Sequence, residues 1–183
     1  MRILSIDPGF ERMGVAILEY EKGSNKPLVI YSTCVVTSRK DGFEKRLMKL
    51  GDTLRWIIKE HKPTVLAIER LFFSTNQKTA LSVAEARGVA VYEAARNNLT
   101  LNEYTPIQIK AAVAGYGRAT KEQVISMIYN LVDFKDEEKN IKIATSTTRR
   151  DGGKAKPKKV SDDEFDAIAV GVTHLAHNNL SIR

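Results

Sequence analysis

Sulfur, aromatic rings and long apolar runs are all scarce in this chain, and each shortage closes off a class of protein. Cys34 is the only cysteine among 183 residues. An intramolecular disulfide is therefore impossible, and a thiolate metal cluster is disfavoured. No stretch approaches the ~20 apolar residues that a membrane helix needs, and no strongly basic amphipathic helix suggests a surface-bound protein. Asp7 interrupts the N-terminal apolar run at once, so no secretory leader is expected. These absences point to a reducing cytoplasm without membrane association. Acidic residues are outnumbered as well, 22 against 29 Lys and Arg, leaving a net charge of +7. A polyanionic partner is the natural expectation.

What is present organises as a single α/β domain over 1–183. Residues 2–7 are a buried strand followed by the turn Pro8-Gly9. Residues 13–20 and 28–36 pattern as two more strands, joined through Gly23-Ser24-Asn25. Apolar residues at helical spacing from Phe43 to Ile58 predict a helix over 43–61, closed by Pro63. A short apolar strand over 64–69 and a helix over 76–97 follow. The helix carries a stripe of small residues, Ala80, Ala84, Gly88, Val91 and Ala95, suited to close approach of another backbone. After a strand at 99–104, Thr105-Pro106-Ile107-Gln108 and Thr120 with Gln123 are capping boxes that start two helices. Ser161 and Glu164 start a third, over about 162–177. The expected architecture is a five-stranded mixed sheet flanked by helices. The first three strands should be antiparallel neighbours and the later ones parallel.

The positive charge is concentrated. Residues 142–160 carry seven Lys and Arg against Asp151 alone, so six of the seven net charges sit in this one segment. Such a loop buries little apolar surface and is expected to be mobile without its partner.

Four carboxylates stand out against this basic background. Asp7 and Glu69 each end an apolar strand, which puts an acid at the sheet rim and not in the core. Asp163 and Asp166 lie one turn apart, off the buried stripe of the last helix. Acids that converge repel one another and need protons or a divalent cation. On a basic chain the pattern points to metal-assisted phosphodiester chemistry. Each residue also has a plainer explanation. An Asp-Pro-Gly is commonly only a turn, and Asp163 could simply favour the first helical turn. Glu164 is accounted for by its capping box, Glu11 by a solvated turn, and His174 by a satisfied helix histidine.

The order and spacing of Ile6-Asp7-Pro8-Gly9, Ala67-Ile68-Glu69, Phe72-Phe73, Asn76 and Ala86-Arg87-Gly88-Val89 resemble the RuvC family of bacterial Holliday-junction resolvases. So do Tyr104-Thr105-Pro106, Gln108-Ile109-Lys110, Gly115, Gly117, Lys121, Asp163, Asp166 and Thr173-His174. The resemblance implies a ribonuclease H-like fold and a structure-selective endonuclease acting on four-way DNA junctions. It implies catalytic and metal-binding roles for Asp7, Glu69, Asp163 and Asp166, with two Mg²⁺ ions per site and Mn²⁺ as a substitute. Its D-x-x-D spacing selects Asp163 over the adjacent Asp162. It further implies phosphate contacts from Lys110 and Lys121, and base stacking by Phe72. Arg70, Asn76 and Lys78 join them as candidate DNA contacts by proximity. A homodimer and cooperation with the RuvA–RuvB branch-migration complex are also implied, in a bacterial cytoplasm. The segment at about 134–160 departs from the family as a basic insertion, and its Arg149, Arg150 and Lys154 are further candidate DNA contacts.

Rival readings are a ribonuclease H-like nuclease for RNA–DNA hybrids or flaps, and a junction-binding protein that does not cut. Motif order with the paired phenylalanines disfavours the first, and the intact acids disfavour the second. A sugar-kinase or actin-like ATPase would need two related domains, for which 183 residues leave little room.

Overall fold

The computed structural model describes residues 1–71, 77–135 and 160–178. Among these described residues there are six strands: β1 (Arg2–Asp7), β2 (Arg12–Glu19), β3 (Leu28–Val36), β4 (Val65–Glu69), β5 (Thr100–Tyr104) and β6 (Asp133–Phe134). The helices are α1 (Phe43–His61), α2 (Gln77–Arg96), α3 (Pro106–Ala114), α4 (Lys121–Leu131) and α5 (Asp162–His177). The strands form one mixed sheet in the order β5-β4-β1-β2-β3-β6. β2 runs antiparallel to both β1 and β3, whereas β4 is parallel to β1 and β5 to β4.

The five expected strands are all there. The sixth is a correction: β6 adds two residues beside Leu28 and Val29 in parallel. Two residues carry no periodicity, so only the tertiary pairing reveals them.

Strand alternation divides the core into two layers. Leu4, Ile6, Met13, Val15, Ile17, Leu66 and Ile68 point to one face, under α1 and α2. Ile3, Ala16, Leu18, Val65 and Ala67 point to the other, under α3, α4 and α5. Fully buried side chains of this size contribute about 1.5–3 kcal/mol each. α5 is the central helix of its layer, buried at every position from Phe165 to Leu175 apart from Asp166. Asp7 and Glu69 stand at odd positions of their strands, with Ile3, Ser5, Val65 and Ala67, and so face this same layer.

The small-residue stripe of α2 is not what buries that helix. Ala86, Ala90 and Ala94 are buried, while Gly88 and Ala95 are exposed and a Cβ on Gly88 would meet nothing within 4 Å. The other three, Ala80, Ala84 and Val91, are half-buried, because the helix turns its Ala86–Ala90–Ala94 row to the sheet.

Candidate active site

A single row of residues crosses the rim of the sheet. Strand pairing sets Tyr104 opposite Glu69, and Asp7 opposite Gly14, which in turn lies opposite Cys34. β1 and β4 are paired through Ile6 and Ile68, so Asp7 and Glu69 follow side by side, one residue on. Two acids on adjacent parallel strands are thus neighbours by register, without contact between distant loops.

The other two acids arrive on α5, whose first turn must sit directly over β2. Gly14 permits this. A Cβ there would lie 1.9 Å from the backbone oxygen of Asp163 and 2.7 Å from its carbonyl carbon. Glu164 then anchors the turn. It completes the capping box with Ser161, and its Oε2 accepts a 2.7 Å hydrogen bond from the Ser32 hydroxyl on β3. A buried carboxylate satisfied from two elements fixes the rotation of the helix about its axis. That rotation in turn decides where Asp163 and Asp166 point.

Asp7, Glu69 and Asp166 line one cleft of about 360 Å³, together with Lys110 and Lys121 and the apolar floor of Ile109, Val124 and Ala169. Both lysines come from the capped helices predicted from sequence, and both capping boxes are formed. Lys121 Nζ lies 3.0 Å from Asp166 Oδ2 and 3.5 Å from Asp162. Asp163 stands beside this cleft and not in its lining. Its Oδ2 accepts hydrogen bonds from Arg12 Nε and Nη2 at 2.9 and 2.5 Å. Arg70 follows Glu69 at the rim, exposed, with its backbone N–H donated to the Tyr104 carbonyl. Phe72, Phe73, Asn76, Arg149, Arg150 and Lys154 lie outside the described residues, as does the side chain of Lys78.

The charges behave as a repelling cluster. Burial, then Glu69, Asp166 and Asp163 in turn, raise the Asp7 carboxyl from 3.8 to about 7. Burial and Asp166 raise Glu69 to about 6, against the opposing pull of Lys110. Burial also raises Asp166, partly offset by Lys121. Asp163 differs: burial pushes it up, but the Arg12 bond and charge outweigh that and hold it below the usual range. Among the described residues, no three His, Cys, Asp or Glu side chains are close enough as placed to grip one ion together. The two helix acids face Arg12 and Lys121, yet their charges still reach Asp7. The donor set is all oxygen and mutually repulsive, which fits a hard divalent cation.

A family model described as "Crossover junction endodeoxyribonuclease RuvC" matches residues 3–148. The chain belongs to the RuvC family. Proteins of that name were found at 41% identity in Alkaliphilus metalliredigens (strain QYMF), covering 97% of this chain and 94% of the relative. Another, from Caldicellulosiruptor saccharolyticus (strain ATCC 43494 / DSM 8903 / Tp8T 6331), is 37% identical, covering 96% and 92%. Among solved structures, "T. thermophilus RuvC in complex with Holliday junction substrate" superposes with a TM-score of 0.78. It covers 100% of this chain and 97% of that one at 23% identity, a likeness of fold. The mixed sheet flanked by helices is accordingly the ribonuclease H-like fold of the RuvC family.

The acid cluster carries a pH signature of its own. The native chain keeps a proton on Asp7 up to about pH 7, whereas the unfolded chain releases it near 3.8. Between those values the native state binds more protons, so stability falls as pH rises through the window. A carboxyl moved that far corresponds to about 4 kcal/mol. With divalent ions chelated, Asp7→Asn should melt several degrees above the parent at pH 8 and match it near pH 4. Parallel melting curves across that range would show that Asp7 carries no such strain.

Proposed function

We propose that this chain is a structure-selective endonuclease that resolves four-way DNA junctions by paired, symmetric nicks. The products are 5′-phosphate and 3′-hydroxyl ends, and the setting is homologous recombination and repair in a bacterial cytoplasm. The observation that carries this is the convergence of Asp7, Glu69 and Asp166 with Lys110 and Lys121 in one rim cleft of a RuvC-family chain. Asp163 completes the acid set from the same helical turn.

Asp7, Glu69, Asp163 and Asp166 would hold two Mg²⁺ ions, with Mn²⁺ able to replace them. When bound, such a pair supplies an activated water and charge stabilisation at the leaving 3′ oxygen. The protein's own part is to position the phosphate. Lys110 and Lys121 contact backbone phosphates flanking the scissile bond and offset charge as it builds there. Arg70, Asn76 and Lys78 are further phosphate contacts, and Phe72 stacks on a base at the open crossover.

A four-way junction presents two equivalent strands, so paired nicking calls for two active sites and a homodimer. The exposed Gly88 and Ala95 of the small-residue stripe of α2 support its use as part of that interface. Cooperation with a RuvA–RuvB branch-migration complex belongs to the same reading.

The basic segment 142–160, with Arg149, Arg150 and Lys154, binds an arm of the junction. Each phosphate it neutralises steepens the salt dependence of log K by about 0.9. Replacing it with a short neutral linker should flatten that slope by several such steps and weaken binding at moderate salt. The comparison is a salt titration of junction affinity in Asp7→Asn backgrounds. Superimposable slopes would remove the segment from DNA binding.

A further inference from the structure

The grip on Asp163 is unlike that on any other acid in the cluster. Arg12 is the first residue of β2, opposite Val36 and two residues before Gly14, so its side chain rises on the α5 face of the sheet. Its Nε and Nη2 both reach Asp163 Oδ2, at 2.9 and 2.5 Å. The Cys34 thiol, on the neighbouring strand, lies 3.5 Å from the same oxygen. Three donors therefore converge on one carboxylate oxygen, and none of them reaches Oδ1.

A free Asp on the first turn of a helix samples several rotamers. Two guanidinium nitrogens and a thiol on one oxygen select one of them and leave the lone pairs of the other oxygen available. We propose that Arg12 is a positioning residue for divalent-metal binding: it orients Asp163 through Oδ2, so that Oδ1 is the ligand oxygen. This rests on the metal-binding role assigned to Asp163 above. The opposing effect is repulsion between Arg12 and the incoming cation. The Arg12 side chain is 51% exposed, and the high effective dielectric around a solvent-facing charge weakens that repulsion even at short range. Partners that orient ligating side chains contribute about 10–100-fold in metal affinity, so orientation outweighs repulsion.

The test is Mn²⁺ binding to the DNA-free protein, followed by the electron paramagnetic resonance signal of free Mn²⁺. Arg12→Ala should bind Mn²⁺ about 10–100-fold more weakly, with an unchanged melting temperature in chelator. Arg12→Lys keeps the charge but not the two-nitrogen grip and should fall between. If Arg12→Ala fails to fold, Arg12→Lys carries the test alone. The Mg²⁺ concentration for half-maximal junction cleavage should rise in the same order. Mn²⁺ affinity in Arg12→Ala equal to or above that of the parent overturns the proposal. Asp7→Asn separates the two levels. If it loses Mn²⁺ binding while Arg12→Ala does not, the metal site stands and Arg12 has no part in it. If Asp7→Asn binds Mn²⁺ like the parent, the acid cluster itself is not the metal site.

Discussion

Asp7→Asn should abolish cleavage of a four-way junction while the junction remains bound. Asp7 lies at the centre of the acid row, between Glu69 on one side and the start of α5 on the other, and feels all three other acids. The substitution keeps shape and volume but removes the charge that would hold a cation between strand and helix. Metal stabilisation of the transition state amounts to several kilocalories, and about 4 kcal/mol corresponds to a thousandfold in rate. The phosphate contacts proposed for Lys110 and Lys121 do not depend on Asp7, so affinity should be kept. One like-charge repulsion with DNA is also lost, and binding can tighten slightly. Gel-shift affinity and single-turnover nicking on the same synthetic junction measure the two quantities separately. Measurable Mg²⁺-dependent nicking by the purified variant would sink the assignment of Asp7.

Gly14→Ala is the smallest substitution expected to disable the site from outside it. The added carbon would fall 1.9 Å from a backbone oxygen and 3.3 Å from the Ala167 Cβ. Backbone cannot rotate away as a flexible side chain can, so the first turn of α5 must lift off β2. Overpacking of this kind costs about 1–3 kcal/mol in stability. Displacing a positioned group by about 1 Å can cost roughly a hundredfold in rate. Asp163 and Asp166 both ride on the displaced turn, so cleavage should fall much further than junction affinity or the melting temperature. A folded Gly14→Ala protein that cleaves at the parent rate would show that the acids do not need this close approach.

These two residues also mark how far the sequence alone reaches. Asp7 is recognisable because an acid ending an apolar strand is a local pattern, and Glu69 repeats it. The capping boxes at Thr105, Thr120 and Ser161 are local too, and all three form as expected. Gly14 carries no such signal: within β2 it is one small residue in an apolar run, and the partner that requires it is Asp163. The Arg12–Asp163 and Ser32–Glu164 contacts join residues 151 and 132 positions apart. Nothing near Arg12 distinguishes it from a surface arginine until α5 is folded over the sheet. Glu164 was explained by its capping box, which is formed, but the Ser32 bond gives the same carboxylate a second task. The stripe on α2 is legible as a pattern, but its orientation is not. Small residues at helical spacing show that close approach is possible, but not which face of the helix meets its own sheet.

The central claim is that the rim cleft is a metal-dependent active site for branched DNA. It is tested most directly by incubating the purified protein with a synthetic four-way junction or a duplex of matched sequence, each with and without Mg²⁺. The expected result is paired symmetric nicks in the junction with Mg²⁺, their 5′ ends phosphorylated, and no comparable cutting in the other three reactions. Equal cutting of duplex and junction, or junction cleavage that persists in chelator, would contradict it.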